Sequence, residues 1–177
     1  IVEVEILNPF SYREFKRDKL VVLDVRCRDK AGNLFNIEMQ VAVYPGLLQR
    51  LVFYGSKLYQ DQMRAGDNYA TLRTAITICL LSHKIFKETE QAYHQFVFTD
   101  ITSGCQLKRG IEIHTIELPK YNLNEKTISS ASKLEQWVFL LLRAHEYSAE
   151  RLRELLPEAE FQRAISGLEV ISSKSKD

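Results

Sequence analysis

Hydrophobic and polar residues alternate along the first part of the chain, and this pattern predicts β-strands. Residues 1–7, IVEVEIL, alternate strictly, as in a strand with one buried face. Residues 20–29 and 34–43 alternate in the same way on either side of the turn-like sequence KAGN at 30–33. We therefore predict an N-terminal strand followed by a β-hairpin.

The pattern becomes helical after Pro45. Hydrophobic side chains in residues 47–59 recur every three or four positions, which is the period of an α-helix. Three short runs rich in hydrophobic and β-branched residues follow, at 74–86, 93–101 and 111–119, and each has the length of a strand. The predicted order is β-β-β-α-β-β-β, an α/β arrangement.

The composition shifts again at about residue 122, where helical patterns replace strand-like ones. Ser132 and Glu135 have the spacing of a capping box and predict the start of a helix. We predict a core domain at 1–122 and a helical extension at 123–177, which packs against the rest or mediates assembly and is compatible with a homodimer. The first helix of the extension is expected to bury one stripe, formed by Leu134, Trp137, Val138 and Leu141.

Composition restricts the classes of function. The 177 residues are 45% hydrophobic and 27% charged, which suits a globular domain with an appendage. The 24 basic and 23 acidic residues almost cancel, so net charge alone does not indicate a polyanionic partner. The longest apolar run, 137–142, is far shorter than the roughly 20 residues of a membrane span. Three widely spaced cysteines without a CxxC pair predict free thiols and a cytoplasmic location.

The predicted hairpin brings two acidic residues together. Successive side chains of a strand point to opposite faces, so Glu38 and Gln40 share one face of the second hairpin strand. If the turn is centred near Ala31, Asp24 on the first hairpin strand pairs with Glu38, and both point away from the main apolar face.

Two facing carboxylates repel each other and destabilise a sheet unless another group compensates. A divalent cation such as Mg²⁺ would compensate, since it prefers carboxylate oxygens as ligands. Alternatively, the carboxylates are exposed to solvent or paired with Arg26 and Arg28, or a bulge shifts the register. The sequence leaves these alternatives open.

The residues around this pair resemble a known family. NPFSYREFKRDKLVVLDVRCRDKAGNLFNIEMQV at 8–41 and RLVFYGSKLYQDQMRAGDNY at 50–69 are similar to transposases of the PD-(D/E)XK nuclease family, which include recombination-promoting nucleases. The resemblance spans roughly residues 5–120. It implies a restriction-endonuclease-like mixed sheet flanked by helices, with a C-terminal helical appendage.

The resemblance also implies roles for individual residues. Asp24 and Glu38 would bind the catalytic metal, Mg²⁺ or Mn²⁺, together with the main-chain carbonyl of Met39, whose side chain would face the core. Gln40 stands where the wider superfamily has lysine, and it can orient water but carries no charge. A further acidic residue, on a helix before the first strand, would lie before Ile1.

Basic residues on the predicted helix are candidates for DNA contacts. Arg50, Lys57 and Arg64 are seven residues apart and would form one line along the helix. Tyr54 could stack on a base or bond a phosphate, although aromatic residues at helical spacing usually belong to the core. A charged, solvated face is an equally reasonable interpretation of the basic line.

Other chemistries find no support in the sequence. No GxxxxGK[ST], GxGxxG, HxH or HExxH motif occurs. We therefore expect a metal-dependent DNA endonuclease that acts in transposition or recombination. The alternative is a catalytically inert relative that binds DNA or protein.

Overall fold

The computed structural model describes residues 4–7, 25–40 and 45–174. The chain divides into two compact units, Ile1–Lys120 and Tyr121–Asp177. The predicted boundary lay two residues later, after residue 122.

The first unit contains a mixed β-sheet. Its six strands lie in the order β1-β2-β3-β4-β6-β5, in which β3, β4 and β6 are parallel neighbours and the other pairs are antiparallel. The predicted α/β class and the order of strands and helix are confirmed. The strands are β1 (Val4–Leu7), β2 (Val25–Asp29), β3 (Leu34–Gln40), β4 (Ala75–Leu81), β5 (Tyr93–Phe96) and β6 (Ile111–Glu117).

The β2–β3 hairpin has the register that the sequence predicts. Val25 pairs with Ile37 and Arg28 pairs with Leu34, so the turn is centred on residue 31. The turn is closed by Asp29, whose carboxylate accepts hydrogen bonds from the main-chain N–H (2.9 Å) and the side-chain amide (3.0 Å) of Asn33. The predicted hairpin is therefore confirmed for the pairs that the structure describes.

One helix, α1 (Leu47–Gln60), covers one face of the sheet. Leu51 and Leu58 of α1 are buried against the sheet, which supplies small or apolar side chains such as Ala75 and Cys79. Gly55 allows a close approach, because a Cβ atom there would lie 2.7 Å from Cγ2 of Ile111. The helix is held to the sheet by these apolar contacts.

The helix is shorter than the basic line predicted from the sequence. It ends at Gln60, and Arg64 lies in the turn that follows, where its main-chain N–H donates to Asp67 (2.8 Å). Only Arg50 and Lys57 of the predicted line lie on α1. The prediction was therefore wrong for Arg64, because seven-residue spacing defines a line only while the helix continues.

The face of β3 that α1 covers is not the face that the sequence predicts to be buried. Asn36, Glu38 and Gln40 are buried, whereas Ile37 and Met39 on the opposite face are only half-buried. The prediction that Glu38 and Gln40 point away from the core, and Met39 into it, was wrong. Alternation assigns residues to faces, but the packing of α1 decides which face is buried.

The second unit, considered by itself, is helical. The predicted capping box is confirmed, because the Ser132 hydroxyl accepts from the Glu135 N–H and the Glu135 carboxylate accepts from the Ser132 N–H. The predicted stripe is wrong in part, since Trp137 and Leu141 are exposed while Phe139 is buried. The helices are α2 (Glu125–Ile128), α3 (Lys133–Arg143), α4 (Ala149–Leu155) and α5 (Ala159–Lys174). Within the described residues, no helix has the length and apolar character needed to cross a membrane.

Candidate active site

The candidate site is centred on Glu38, two residues before the end of β3. β3, β4 and β6 are parallel, and the carboxyl ends of parallel strands are where α/β sheets commonly bind ligands. The Glu38 side chain is fully buried. A carboxylate without contact to water requires hydrogen bonds or a positive charge, because burial otherwise disfavours its ionised form.

Neighbouring side chains of the same strand supply hydrogen bonds to this carboxylate. Asn36 Nδ2 donates to Glu38 Oε1 at 2.8 Å, and Gln40 Nε2 donates to Oε2 at 3.3 Å. The three residues are two positions apart, so they form a polar row along one face of β3. Strand alternation puts Asn36 on the same face as Glu38 and Gln40, but no role was predicted for it from the sequence.

Arg50 provides positive charge beside the carboxylate. It projects from the first part of α1, and its Nη2 lies 3.5 Å from Oε2 of Glu38. The Arg50 side chain is 34% exposed whereas that of Glu38 is 0% exposed, so the guanidinium connects the buried carboxylate with the surface. The Glu38 carboxylate is therefore buried, so the alternative that it is exposed to solvent is wrong.

Two other predicted DNA-contact residues lie on the same helix. Tyr54 lies one turn after Arg50. The guanidinium carbon of Arg50 lies over the Tyr54 ring, 5.3 Å from the ring centroid. Lys57 pairs instead with Asp61, with 3.0 Å between Nζ and Oδ1. Arg50 is therefore close to Glu38 and Tyr54 is close to Arg50, while Lys57 is engaged in an ion pair of its own.

Cys79 lies beside Glu38 on the adjacent strand β4. Burial, together with the negative charge of Glu38, raises the pKa of the Cys79 thiol to about 12, although Arg50 acts in the opposite direction. The thiol is therefore protonated at neutral pH. It acts as a small apolar side chain beneath α1, not as a nucleophile.

The donor types in this row are suited to a hard cation. Carboxylate and carboxamide oxygens are the ligands preferred by Mg²⁺ and Mn²⁺, and Glu38, Asn36 and Gln40 offer both. Arg50 opposes a cation, because its charge already lies beside the carboxylate. Among the described residues alone, no group of three or more His, Cys, Asp or Glu side chains could hold a metal ion. Asp24, the second predicted carboxylate, lies outside the described residues.

A second buried carboxylate, Glu117, lies at the end of β6 and was missed by the sequence analysis. Its Oε1 accepts hydrogen bonds from the main-chain N–H groups of Ile85 and Phe86, and its Oε2 lies 2.5 Å from Lys120 Nζ. Burial opposes ionisation, but the bonds from Lys120 and the two N–H groups outweigh it and hold the pKa of Glu117 below its usual value. The signal in the sequence was an acidic residue ending a strand, followed three positions later by lysine.

Lys120 anchors the segment that leaves β4. Its Nζ donates to the main-chain carbonyls of Phe86, Thr89 and Gln91 at 2.6, 2.8 and 3.0 Å. The same segment begins at Ser82, whose N–H donates to the carbonyl of Gln40 at 3.1 Å. The Glu117–Lys120 pair therefore fixes a segment that starts directly beside the polar row of β3.

Comparison with known proteins agrees with the resemblance seen in the sequence. The family model described as PD-(D/E)XK nuclease family transposase matches residues 1–177, which is the whole chain. No match to the chain was found among curated proteins or among solved structures. The mixed sheet and its helices are consistent with the restriction-endonuclease-like α/β fold expected of that family.

Proposed function

Since the chain belongs to the PD-(D/E)XK nuclease family transposases, we propose that it is a divalent-metal-dependent DNA endonuclease. The observation that carries this proposal is the fully buried Glu38 carboxylate, hydrogen-bonded to Gln40 at the carboxyl end of parallel strand β3. Buried acidic residues are unusual outside ion pairs, metal sites and catalytic sites. Membership of the family indicates the class of reaction, and the Glu38 carboxylate is the most suitable centre for the active site.

Asp24 and Glu38 hold the cation in this proposal, with the main-chain carbonyl of Met39 as a further ligand. The observed pairing of Val25 with Ile37 supports the partnership, because continuing that register by one pair would join position 24 to position 38. When bound, a divalent cation supplies a Lewis acid that activates water and stabilises charge on the scissile phosphate.

Gln40 and Arg50 complete the proposed site. Gln40 orients the attacking water through its amide, since its position at 3.3 Å from the carboxylate keeps it next to the metal ligands. Arg50 is half-exposed and lies on the surface side of Glu38, where its guanidinium can donate two hydrogen bonds to a DNA phosphate. Tyr54 supports the guanidinium from below through its ring. Lys57 contributes a weaker phosphate contact, because its ion pair with Asp61 must first be broken.

A DNA-binding relative without nuclease activity is the second candidate. The observation in its favour is that Glu38 already accepts hydrogen bonds from Asn36, Gln40 and Arg50, as a structural ion pair does. Glutamine in place of the superfamily lysine points the same way. The two candidates make opposite predictions about cleavage and the same prediction about binding.

A plasmid-nicking assay distinguishes the proposed nuclease from the relative without nuclease activity. Supercoiled plasmid is incubated with the purified protein and Mg²⁺ or Mn²⁺, and the nicked form is quantified for the wild type, Asp24→Asn, Glu38→Gln and Glu112→Gln. Glu112 is a matched control, since it is a hydrogen-bonded carboxylate of β6 on the opposite face of the same sheet. We expect metal-dependent nicking by the wild type and Glu112→Gln, with a loss of about 100-fold or more in the other two variants.

Nicking that persists in both Asp24→Asn and Glu38→Gln would reject the proposed site. DNA binding by the wild type without cleavage under either metal would favour the inert relative. Circular dichroism of each variant ensures that loss of activity is not loss of fold.

A further inference from the structure

A two-stranded arm extends from the edge of the sheet between β5 and β6. In this segment, residues 97–110, Leu107 N–H donates to the carbonyl of Phe98 at 3.0 Å, and Asp100 N–H donates to that of Cys105 at 2.8 Å. Thr99 and Gln106 form an antiparallel bridge between these bonds. The arm is therefore an ordered hairpin beyond the sheet, not an irregular loop.

The arm exposes large apolar side chains. Ile101 near its tip is 100% exposed, Leu107 is 74% exposed and Phe98 is 52% exposed. Single exposed apolar residues are common, but Phe98 and Leu107 lie opposite each other across the arm, with Ile101 near the tip, and such a concentration of exposed apolar residues is typical of an interaction site.

Two cations stand at the base of this patch. Lys108 and Arg109 follow Leu107 directly and are exposed. The acidic residue of the arm, Asp100, is exposed near the tip, where its carboxylate accepts from Thr102 N–H (2.9 Å) and Ser103 Oγ (2.6 Å). The two cations therefore outnumber the one carboxylate of the arm, and they lie away from it at the base.

Arg109 has an unusual backbone conformation. Its φ is +61°, in the left-handed region that favours glycine, and among the described residues it is the only non-glycine with positive φ. A residue with a Cβ atom is less stable there than in the right-handed conformation. Strain of this kind is commonly retained at functional positions.

We propose that the arm at 97–110 contacts duplex DNA. In this proposal Lys108 and Arg109 bind backbone phosphates, and Ile101 with Leu107 enters a groove, as apolar wedges of DNA-bending proteins do. The inference rests on the proposed function, which makes DNA the substrate. A second copy of the chain is a less suitable partner for the arm than DNA, because a symmetric contact between two arms would bring their cations together.

The strand register gives the separation of the arm from the site along the strand direction. Thr115 of β6 is level with Cys79 of β4, which is level with Glu38. Residue 110, the last of the arm, precedes Thr115 by five residues. The arm therefore leaves the amino end of the parallel strands, roughly 16 Å from the level of Glu38 along the strand direction. That corresponds to about five base pairs of B-DNA.

Salt-dependent DNA binding tests the cations. A fluorescein-labelled duplex of mixed sequence is titrated with protein in EDTA, so that no cleavage occurs, and the dissociation constant is measured over a range of salt concentrations. Lys108→Ala with Arg109→Ala should weaken binding and lower the slope of log Kd against log salt by about 2. The matched control, Lys126→Ala with Arg163→Ala, removes two exposed cations of the second unit and should leave the slope unchanged.

A second pair of variants tests the apolar patch without changing charge. Ile101→Ser with Leu107→Ser should weaken binding at every salt concentration and leave the slope unchanged, whereas Leu168→Ser with Ile171→Ser, at exposed positions of α5, should have no effect. Light scattering on the same samples tests the rival occupant. A wild-type dimer that the Ile101→Ser, Leu107→Ser variant converts to a monomer would overturn the proposal in favour of a second copy.

The outcomes distinguish this proposal from the proposed nuclease. Tight wild-type binding that neither arm variant weakens would overturn the proposal that the arm contacts DNA, and it would leave the proposed nuclease activity standing. Arm-dependent binding without metal-dependent nicking would overturn the proposed nuclease activity and support the role of the arm. Absence of wild-type binding to DNA would contradict both.

Discussion

The Arg50 guanidinium lies 3.5 Å from the carboxylate of Glu38 and joins a residue at the surface to a fully buried one. In our account both a divalent cation and this guanidinium are attracted to the same carboxylate, so they compete electrostatically. Arg50→Met should therefore bind Mn²⁺ several-fold more tightly than the wild type. It should also bind DNA more weakly, with a salt slope lowered by about 1, because one phosphate contact is lost.

The two effects of Arg50→Met have opposite signs, and this makes the prediction specific. General damage to the fold would weaken both interactions. Lys57→Met is the matched control from the same helix, and it should leave Mn²⁺ affinity unchanged because Lys57 pairs with Asp61. Weaker Mn²⁺ binding by Arg50→Met would contradict the proposed competition.

Gln40 is predicted to act through its amide. Gln40→Met keeps the length of the side chain but removes the donor that lies 3.3 Å from Glu38. Nicking should fall by about 10- to 100-fold, which is typical when a group supporting a metal ligand is removed. Gln136→Met is the control, since it removes another buried amide, one that donates to the carbonyl of Ile128 in the second unit. Equal losses of nicking in the two variants would contradict a role for Gln40 in the site.

The buried pair of Glu117 and Lys120 should control stability and its pH dependence. Glu117→Gln leaves the buried Lys120 without its counter-charge, and we expect a loss of about 3–5 kcal/mol in the free energy of unfolding at neutral pH. Urea unfolding measures this loss. Glu112→Gln, at a half-exposed position of the same strand, should cost far less.

The folded state lowers the pKa of Glu117, so its contribution to stability is fully present above the unfolded value of about 4.3. That contribution is lost as the pH falls from there through the lower folded pKa. The difference in unfolding free energy between wild type and Glu117→Gln should therefore shrink in acid. A difference that stays constant or grows as the pH falls would contradict the assignment.

The sequence was sufficient to predict local structure but not burial. Strand alternation and the turn at 30–33 determined the register of the hairpin, and the spacing of Ser132 and Glu135 determined the start of α3. Both features depend on residues close together in the chain. The covered face of β3 depends on α1, which packs across the sheet, and hydrophobicity alone favoured the opposite face.

The candidate site was predictable only where its residues share a strand. Glu38 and Gln40 were identified from their spacing and the family resemblance. The contact of Arg50 with Glu38 was not, because it depends on how α1 crosses β3. The Glu117–Lys120 pair was missed for a similar reason. Both side chains form hydrogen bonds with main-chain groups of residues 85–91, and only the fold brings those groups close to the pair.

Our central claim is that the Glu38 carboxylate binds a divalent cation. Isothermal titration of Mn²⁺ into wild type, Glu38→Gln and Glu112→Gln tests this most directly, because it needs neither DNA nor turnover. We predict that wild type and Glu112→Gln bind Mn²⁺ alike and that Glu38→Gln binds at least about tenfold more weakly. Equal binding by wild type and Glu38→Gln would contradict the claim.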